Sequence, residues 1–288
     1  MKIILFLVIS FSVSAQIKGI VVDEHNNPIP YVNIWVDNEN IGTTSQYNGT
    51  FTINVSDDKI VVFSAVGFET KKVKASNGVK VILKDTIYKL DEVVIEKRKE
   101  TVENEIGDSK KIRHTHSSGD KPWIYAKLFN YEEKFKETPF IKSIVFYSES
   151  EIQNAKLKIR VFQFQDSIPT NDLIEEDIIV SVKKGSRKNI IDISKYKLKI
   201  PEDGIVIGLE WLIIPENFYD HAYRDFKTKK MIAMPNYEPS LVINYFENEK
   251  SFRYTGGKWI KEKMNKTNFD KPWYFKVKTP AINLILTN

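Results

Sequence analysis

Asn48-Gly49-Thr50-Phe51-Thr52-Ile53-Asn54-Val55, followed closely by Ile60-Val61-Val62-Phe63-Ser64, decides how this chain folds. Asn-Gly tolerates the positive φ of a tight hairpin turn, and the alternating apolar and polar residues after it read as a half-buried strand. The second run is continuously apolar, the pattern of a strand covered on both faces. Outward from this pair, residues 17–22, 31–36, 68–73 and 79–83 repeat the same β-branched and aromatic character. Turn clusters such as Glu24-His25-Asn26-Asn27-Pro28 separate them. Short strands at this spacing predict a small β-sandwich over residues 16–95.

Half of the 26 residues in 96–121 are charged, so this stretch is expected to cross solvent as a linker. Beyond it, residues 122–288 are again strand-rich. Lys156-Leu157-Lys158-Ile159-Arg160-Val161 alternates, and Phe162 and Phe164 then switch phase as at a β-bulge. In 205–213, Ile205, Ile207, Leu209, Trp211 and Ile213 share one face, and Glu210 is turned the other way, toward solvent. Gly256-Gly257-Lys258 reads as a hairpin turn. About ten strands without a convincing helix predict a larger, jelly-roll-like sandwich. The expected class is therefore all-β, with two sandwiches in series. Asp120-Lys121-Pro122-Trp123 recurs as Asp270-Lys271-Pro272-Trp273, which suggests that the first and last strands of this domain lie side by side.

The first domain carries a resemblance. Gly19-x-Val21-x-Asp23, Pro28-Ile29-Pro30-x-Val32-Asn33-Ile34, Ile41-Gly42-Thr43-Thr44, Asn48-Gly49-x-Phe51, Phe63-Ser64-Ala65-Val66-Gly67-Phe68 and Leu90-Asp91-Glu92-Val93-Val94 occur in this order. Together they resemble the carboxypeptidase regulatory-like domain, a transthyretin-like sandwich. They are also similar to the N-terminal extension of TonB-dependent receptors of Gram-negative outer membranes. The resemblance implies a docking or spacing module without chemistry of its own. The second domain resembles, in architecture only, the jelly rolls of carbohydrate-binding modules.

Lys2, the apolar run 3–13 and Val13-Ser14-Ala15 read as a secretory signal peptide over residues 1–15. The protein is therefore expected outside the cytoplasm, in the periplasm, at the outer membrane or, as a further alternative, outside the cell, with no transmembrane segment after cleavage. The 288 residues include no cysteine, which excludes disulfides, thiolate metal sites, a thiol nucleophile and a lipid-modified cysteine. Membrane attachment is then expected to come from a partner. The net charge of +5 is interspersed, as in Lys71-Lys72, Lys183-Lys184 and Lys229-Lys230, so these cations read as solvated faces and no nucleic-acid partner is expected.

No catalytic residue and no cofactor is expected. His114 and His116 lack a third ligand at fixed spacing, so no metal site is assigned. Gly-x-Ser-x-Gly and phosphate-loop motifs are absent. Exposed aromatics that could stack on a sugar are sought at Trp123, Tyr254, Trp259 and Trp273. Asp85-Thr86-Ile87 and Asp166-Ser167-Ile168 resemble O-glycosylation acceptors of exported Gram-negative proteins, at Thr86 and Ser167. The reading is a non-catalytic envelope module that binds a glycan or protein. The alternatives are a jelly-roll hydrolase with an acid such as Glu210, and an accessory partner of a TonB-dependent receptor.

Overall fold

The computed structural model describes residues 16–86, 99–225, 227–247, 250–264 and 276–288. Residues 1–15, read above as a signal peptide, the 90–94 motif, Trp273 and the second Asp-Lys-Pro-Trp lie outside the described residues.

Seven strands build the first sandwich: β1 (Gln16–Val22), β2 (Asn33–Val36), β3 (Gly42–Thr44), β4 (Thr50–Asn54), β5 (Ile60–Ser64), β6 (Lys71–Lys74) and β7 (Val79–Ile82). They form a three-stranded sheet, β4-β1-β7, and a four-stranded sheet, β3-β2-β5-β6. The Asn48-Gly49 turn does not close a hairpin within one sheet. Gly49 does take a positive φ of 75°, but β3 and β4 belong to different sheets, so the turn carries the chain across the sandwich. The alternating positions Phe51 and Ile53 of β4 meet Val61 and Phe63 of β5, and Phe51 sets its ring edge against Phe63 at 5.4 Å.

Sixteen further strands follow among the described residues: β8 (Glu103–Ile106), β9 (Thr115–His116), β10 (Ile124–Phe129), β11 (Phe140–Ser150), β12 (Ala155–Gln165), β13 (Ile168–Asp172), β14 (Ile178–Val182), β15 (Gly185–Asp192), β16 (Ile205–Trp211), β17 (Phe218–Arg224), β18 (Met231–Tyr237), β19 (Ser240–Phe246), β20 (Ser251–Thr255), β21 (Lys258–Lys261), β22 (Val277–Pro280) and β23 (Ile282–Thr287). One sheet runs β13-β12-β16-β10-β20-β21, with β14 also on β12. The other runs β22-β19-β11-β23-β8, with β15 on β11 and β9 on β19. The chain passes back and forth between these two sheets, as in a jelly roll, and the molecule is all-β in its layers. The phase switch in β12 is a register shift between Phe162 and Phe164 against β13. Gly256 and Gly257, at φ 58° and 78°, close the β20–β21 hairpin.

Three expectations are corrected. Residues 99–121 are not a solvent-crossing tether, because β8 pairs with β23 and β9 with β19. Their charge is tolerated because alternate side chains face solvent from a sheet edge. The strand entered by the first Asp-Lys-Pro-Trp, β10, lies between β16 and β20, while β22 pairs with β19 in the opposite sheet. Glu210 is not turned to solvent: it is 1 % exposed. Ile205, Ile207, Leu209 and Trp211 do share the inner face, but on the outer face Asn33 of the first sandwich covers Glu210, and Val206 packs with Phe162, Phe252 and Trp259.

Candidate functional site

Alternation in β2 places Ile34 and Val36 in the first core and sends Asn33 and Trp35 to the other side of the sheet, where all four are buried. That outer face lies on the outer face of β12 and β16. The seam between the sandwiches is therefore sheet against sheet, and it is charged. Asn33 Nδ2 donates to Glu210 Oε1 at 2.6 Å and to Pro122 O at 3.0 Å. Arg160 donates through Nε to Asp172 Oδ1 at 2.9 Å and through Nη2 to Oδ2, while Nη1 stands 3.5 Å from Glu210 Oε2. Lys158 Nζ donates to Tyr31 O and pairs with Asp177, both at 2.8 Å. Tyr31, Leu212 and Ile214 add a small apolar cluster, and Ile213 N donates to Thr44 Oγ1 at 3.0 Å.

Burial works against the Arg160 guanidinium, but the carboxylates of Asp172 and then Glu210 outweigh it and raise its pKa above the ordinary value. The cations on the polar side of the β12 alternation are thus paired and covered: Lys158 is 1 % exposed and Arg160 is 8 % exposed. The sequence signal was present in the alternation itself. Only the identity of the covering layer was missing.

Beside this seam lies a cavity of about 170 Å³. Ser64 and Thr70 line it from the first sandwich, and Arg160, Asp172, Tyr254 and Trp259 line it from the second. Trp259 meets Phe162 edge to face at 5.1 Å and Tyr254 at 5.3 Å, and the Arg160 guanidinium stacks 4.8 Å from the Phe162 ring centre. Burial raises the Tyr254 phenol pKa, so it stays a neutral hydroxyl. The volume is below the ~300–1,000 Å³ of pockets that engulf a drug-sized ligand, and suits one ring or one side-chain end.

Tyr254 and Trp259 are cross-strand partners on one face of the β20–β21 hairpin. Trp123 lies elsewhere, half-buried beneath the Arg253 guanidinium at 5.0 Å and beside His116 at 5.4 Å. The aromatic candidates therefore form a pair in the cleft and a separate packed ring, not one flat platform. Ser167 sits exposed in the two-residue β12–β13 turn with Asp166, both at positive φ. The Thr86 hydroxyl is buried.

Two other buried bases were not foreseen. Lys127 is 4 % exposed and donates to Gly107 O, to Ser109 Oγ at 2.8 Å and to Ile282 O at 2.8 Å, with the Phe129 and Phe246 rings at about 5 Å. Burial pulls its pKa down to about 7, yet all three donors are engaged, so it acts as a tie between the two sheets and not as a nucleophile. His116 is enclosed by Trp123, Tyr125 and Trp211, and burial, then Lys278 and Arg253, lowers its pKa to about 4. No group of three metal-ligating side chains occurs among the described residues.

A sheet-on-sheet pair of β-sandwiches defines the class. Residues 17–95 match the CarboxypepD_reg-like domain, so the first sandwich is carboxypeptidase regulatory-like. The chain is 31 % identical over 86 residues to the TonB-dependent receptor SusC of Bacteroides thetaiotaomicron, covering 30 % of this chain and 9 % of the receptor. It is 29 % identical over 93 residues to the TonB-dependent receptor P39 of Formosa agariphila, covering 31 % and 9 %. The chain thus spans less than a tenth of the length of the curated relatives it matches. Among solved structures it is similar to a clostridial cysteine protease, Cwp84 after propeptide cleavage, at TM-score 0.39 and 9 % identity, covering 86 % of this chain and 51 % of that one. The cysteine protease and lectin-like domains of Cwp84, a surface layer associated protein of Clostridium difficile, match at TM-score 0.35 and 9 % identity, covering 86 % and 46 %.

Proposed function

We propose that the protein is a non-catalytic binding module of the Gram-negative envelope, whose first sandwich braces a glycan-binding cleft formed with the second. The observation that carries this is the pairing of Tyr254 and Trp259 beside fixed polar groups of Arg160, Asp172 and Thr170 in the cleft between the sandwiches. An aromatic wall with hydrogen-bonding groups at its edge suits a sugar ring, which has apolar faces and an equatorial rim of hydroxyls. The hydrolase reading finds less support, because Glu210 is sealed under Asn33 and does not line the cleft.

A glycan array probed with the full chain tests the proposal. Binding to a defined class of glycan is expected, with Trp259→Ala lowering affinity at least tenfold, as for a buried aromatic anchor worth ~2 kcal/mol. Absence of binding across the array, or binding unchanged by Trp259→Ala, would overturn it. A second reading, accessory partner of a TonB-dependent receptor, is favoured by the similarity of the first sandwich to receptor sequences. Co-purification with such a receptor in place of glycan binding would support that one.

A further inference from the structure

The strands β17 and β18 pair only with each other and belong to neither sandwich. Their register, from Phe218 opposite Tyr237 to Arg224 opposite Met231, makes a ribbon of seven residue pairs, roughly 20 Å long at ~3.4 Å per residue. The root is fixed. Phe218 packs edge to face on Tyr237, Glu238 N donates to Asn217 O at 2.8 Å, and Ser118 Oγ donates to Tyr237 O at 2.9 Å. Beyond Asn236 every residue from 227 to 235 is exposed.

Antiparallel pairing puts Met234 and Ile232 on one face of the ribbon and Met231 on the other. Their exposures are 44 %, 38 % and 64 %. An isolated two-stranded ribbon is only marginally stable in water, and this one shows apolar side chains on both faces. At its outer end stand Lys227, Lys229 and Lys230, which no carboxylate among the described residues pairs. Asp225, the nearest acid, is held inside the turn by Lys227 N and Thr228 Oγ1.

We infer that this arm docks on an anionic lipid surface. A groove in a protein takes one face of a ribbon, whereas the headgroup–acyl boundary is fluid and accepts apolar side chains on both. Unbranched methionines adapt to such a medium. The unpaired lysines complement lipid phosphates at the depth where the arm would enter, and each basic residue near such a surface raises binding about fivefold. Attachment to a membrane would then need neither a lipidated cysteine nor a protein partner. The inference stands on the arm and does not depend on the glycan cleft.

Co-flotation of the full chain with vesicles of phosphatidylglycerol and phosphatidylethanolamine, against phosphatidylcholine vesicles, tests it. Flotation with the anionic vesicles alone is expected, weakened by salt. Lys229→Glu with Lys230→Glu should reduce partitioning by about 20-fold or more. Met231→Ser with Met234→Ser should reduce it while leaving the charge intact. All four positions are exposed, and an unchanged near-ultraviolet circular dichroism spectrum shows that the variants are folded. No flotation with anionic vesicles, or flotation that both variant pairs leave unchanged, overturns the inference. Cross-linking of the arm to a membrane protein without vesicle binding also overturns it and assigns the arm to a protein partner.

Discussion

The seam between the sandwiches and the β17–β18 arm are both places where a sheet face needs a cover, and they are opposites. At the seam, Lys158, Arg160 and Glu210 lie on a face sealed by a second sheet. In the arm, Met231, Ile232 and Met234 lie on faces that no sheet among the described residues covers. A charged face can be buried if each charge meets an opposite one or a hydrogen-bond donor at fixed geometry: Asp172 and Asp177 meet Arg160 and Lys158, and Glu210 meets Arg160 and the Asn33 amide. An apolar face needs only to be removed from water, by whatever surface arrives. The first arrangement finds its partners within this chain, whereas the second is where the inferred lipid contact would act.

Breaking the seam should have the largest effect. Arg160→Ala leaves Asp172 and Glu210 facing each other without their cation, and a loss of about 3–5 kcal/mol in denaturant unfolding is expected. Replacing Arg160, Asp172 and Glu210 together by Met, Leu and Leu should recover most of that loss, because no unpaired charge then stays buried. A single-variant loss below ~1 kcal/mol would mean that water reaches these groups and that the sandwiches are not sealed together.

Next in size is an acid effect at the root of the arm. His116 touches the Trp211 ring, and the Trp211 indole N–H donates to Pro239 O at 2.6 Å, directly after β18. With a folded pKa of about 4 against 6.5 when unfolded, the unfolded chain takes up the proton first as pH falls. The His116 contribution is therefore fully present above pH 6.5, is lost as pH falls toward 4, and changes no further below. At ~1.36 kcal/mol per pKa unit it amounts to about 3 kcal/mol. Unfolding curves of His116→Phe and the parent chain should diverge over that window. Parallel curves would show that the ring is hydrated and the root looser than its packing indicates.

The two regions also differ in how far they could be read from residues alone. The inner face of β16 was legible because four apolar residues, Ile205, Ile207, Leu209 and Trp211, alternate there, and the bulge in β12 because the alternation slips at Phe162. The Gly256-Gly257 turn was legible for a local reason, two residues that accept positive φ. The burial of Glu210 and Arg160 was not legible, since alternation says which residues share a face and not what covers it. The same gap hid β8 and β9, whose pairing to β23 and β19 depends on partners more than 100 residues away. The arm was missed for another reason. Among the described side chains its strands bury no apolar face, so the period-two hydrophobic signal that marks a half-buried strand is weak. At the candidate site, Tyr254 and Trp259 could be named as aromatics, but their pairing required the hairpin register.

The smallest expected effect is the sharpest test of the contrast. If nothing further covers the arm, Met231→Ser with Met234→Ser should alter unfolding free energy by no more than about 1 kcal/mol, because the methionines stay 64 % and 44 % exposed in the folded state. Burial on the body of the protein would instead cost about 1.5–3 kcal/mol per side chain. Denaturant unfolding of the double variant in the absence of lipid separates the two cases. A loss of that larger size would mean that the arm folds back and shields its own apolar faces, and the difference between a closed seam and an open arm would vanish. A neutral result fixes the role of these side chains outside the fold: they do not hold the protein together, so their apolar surface is free to be spent on what the protein meets.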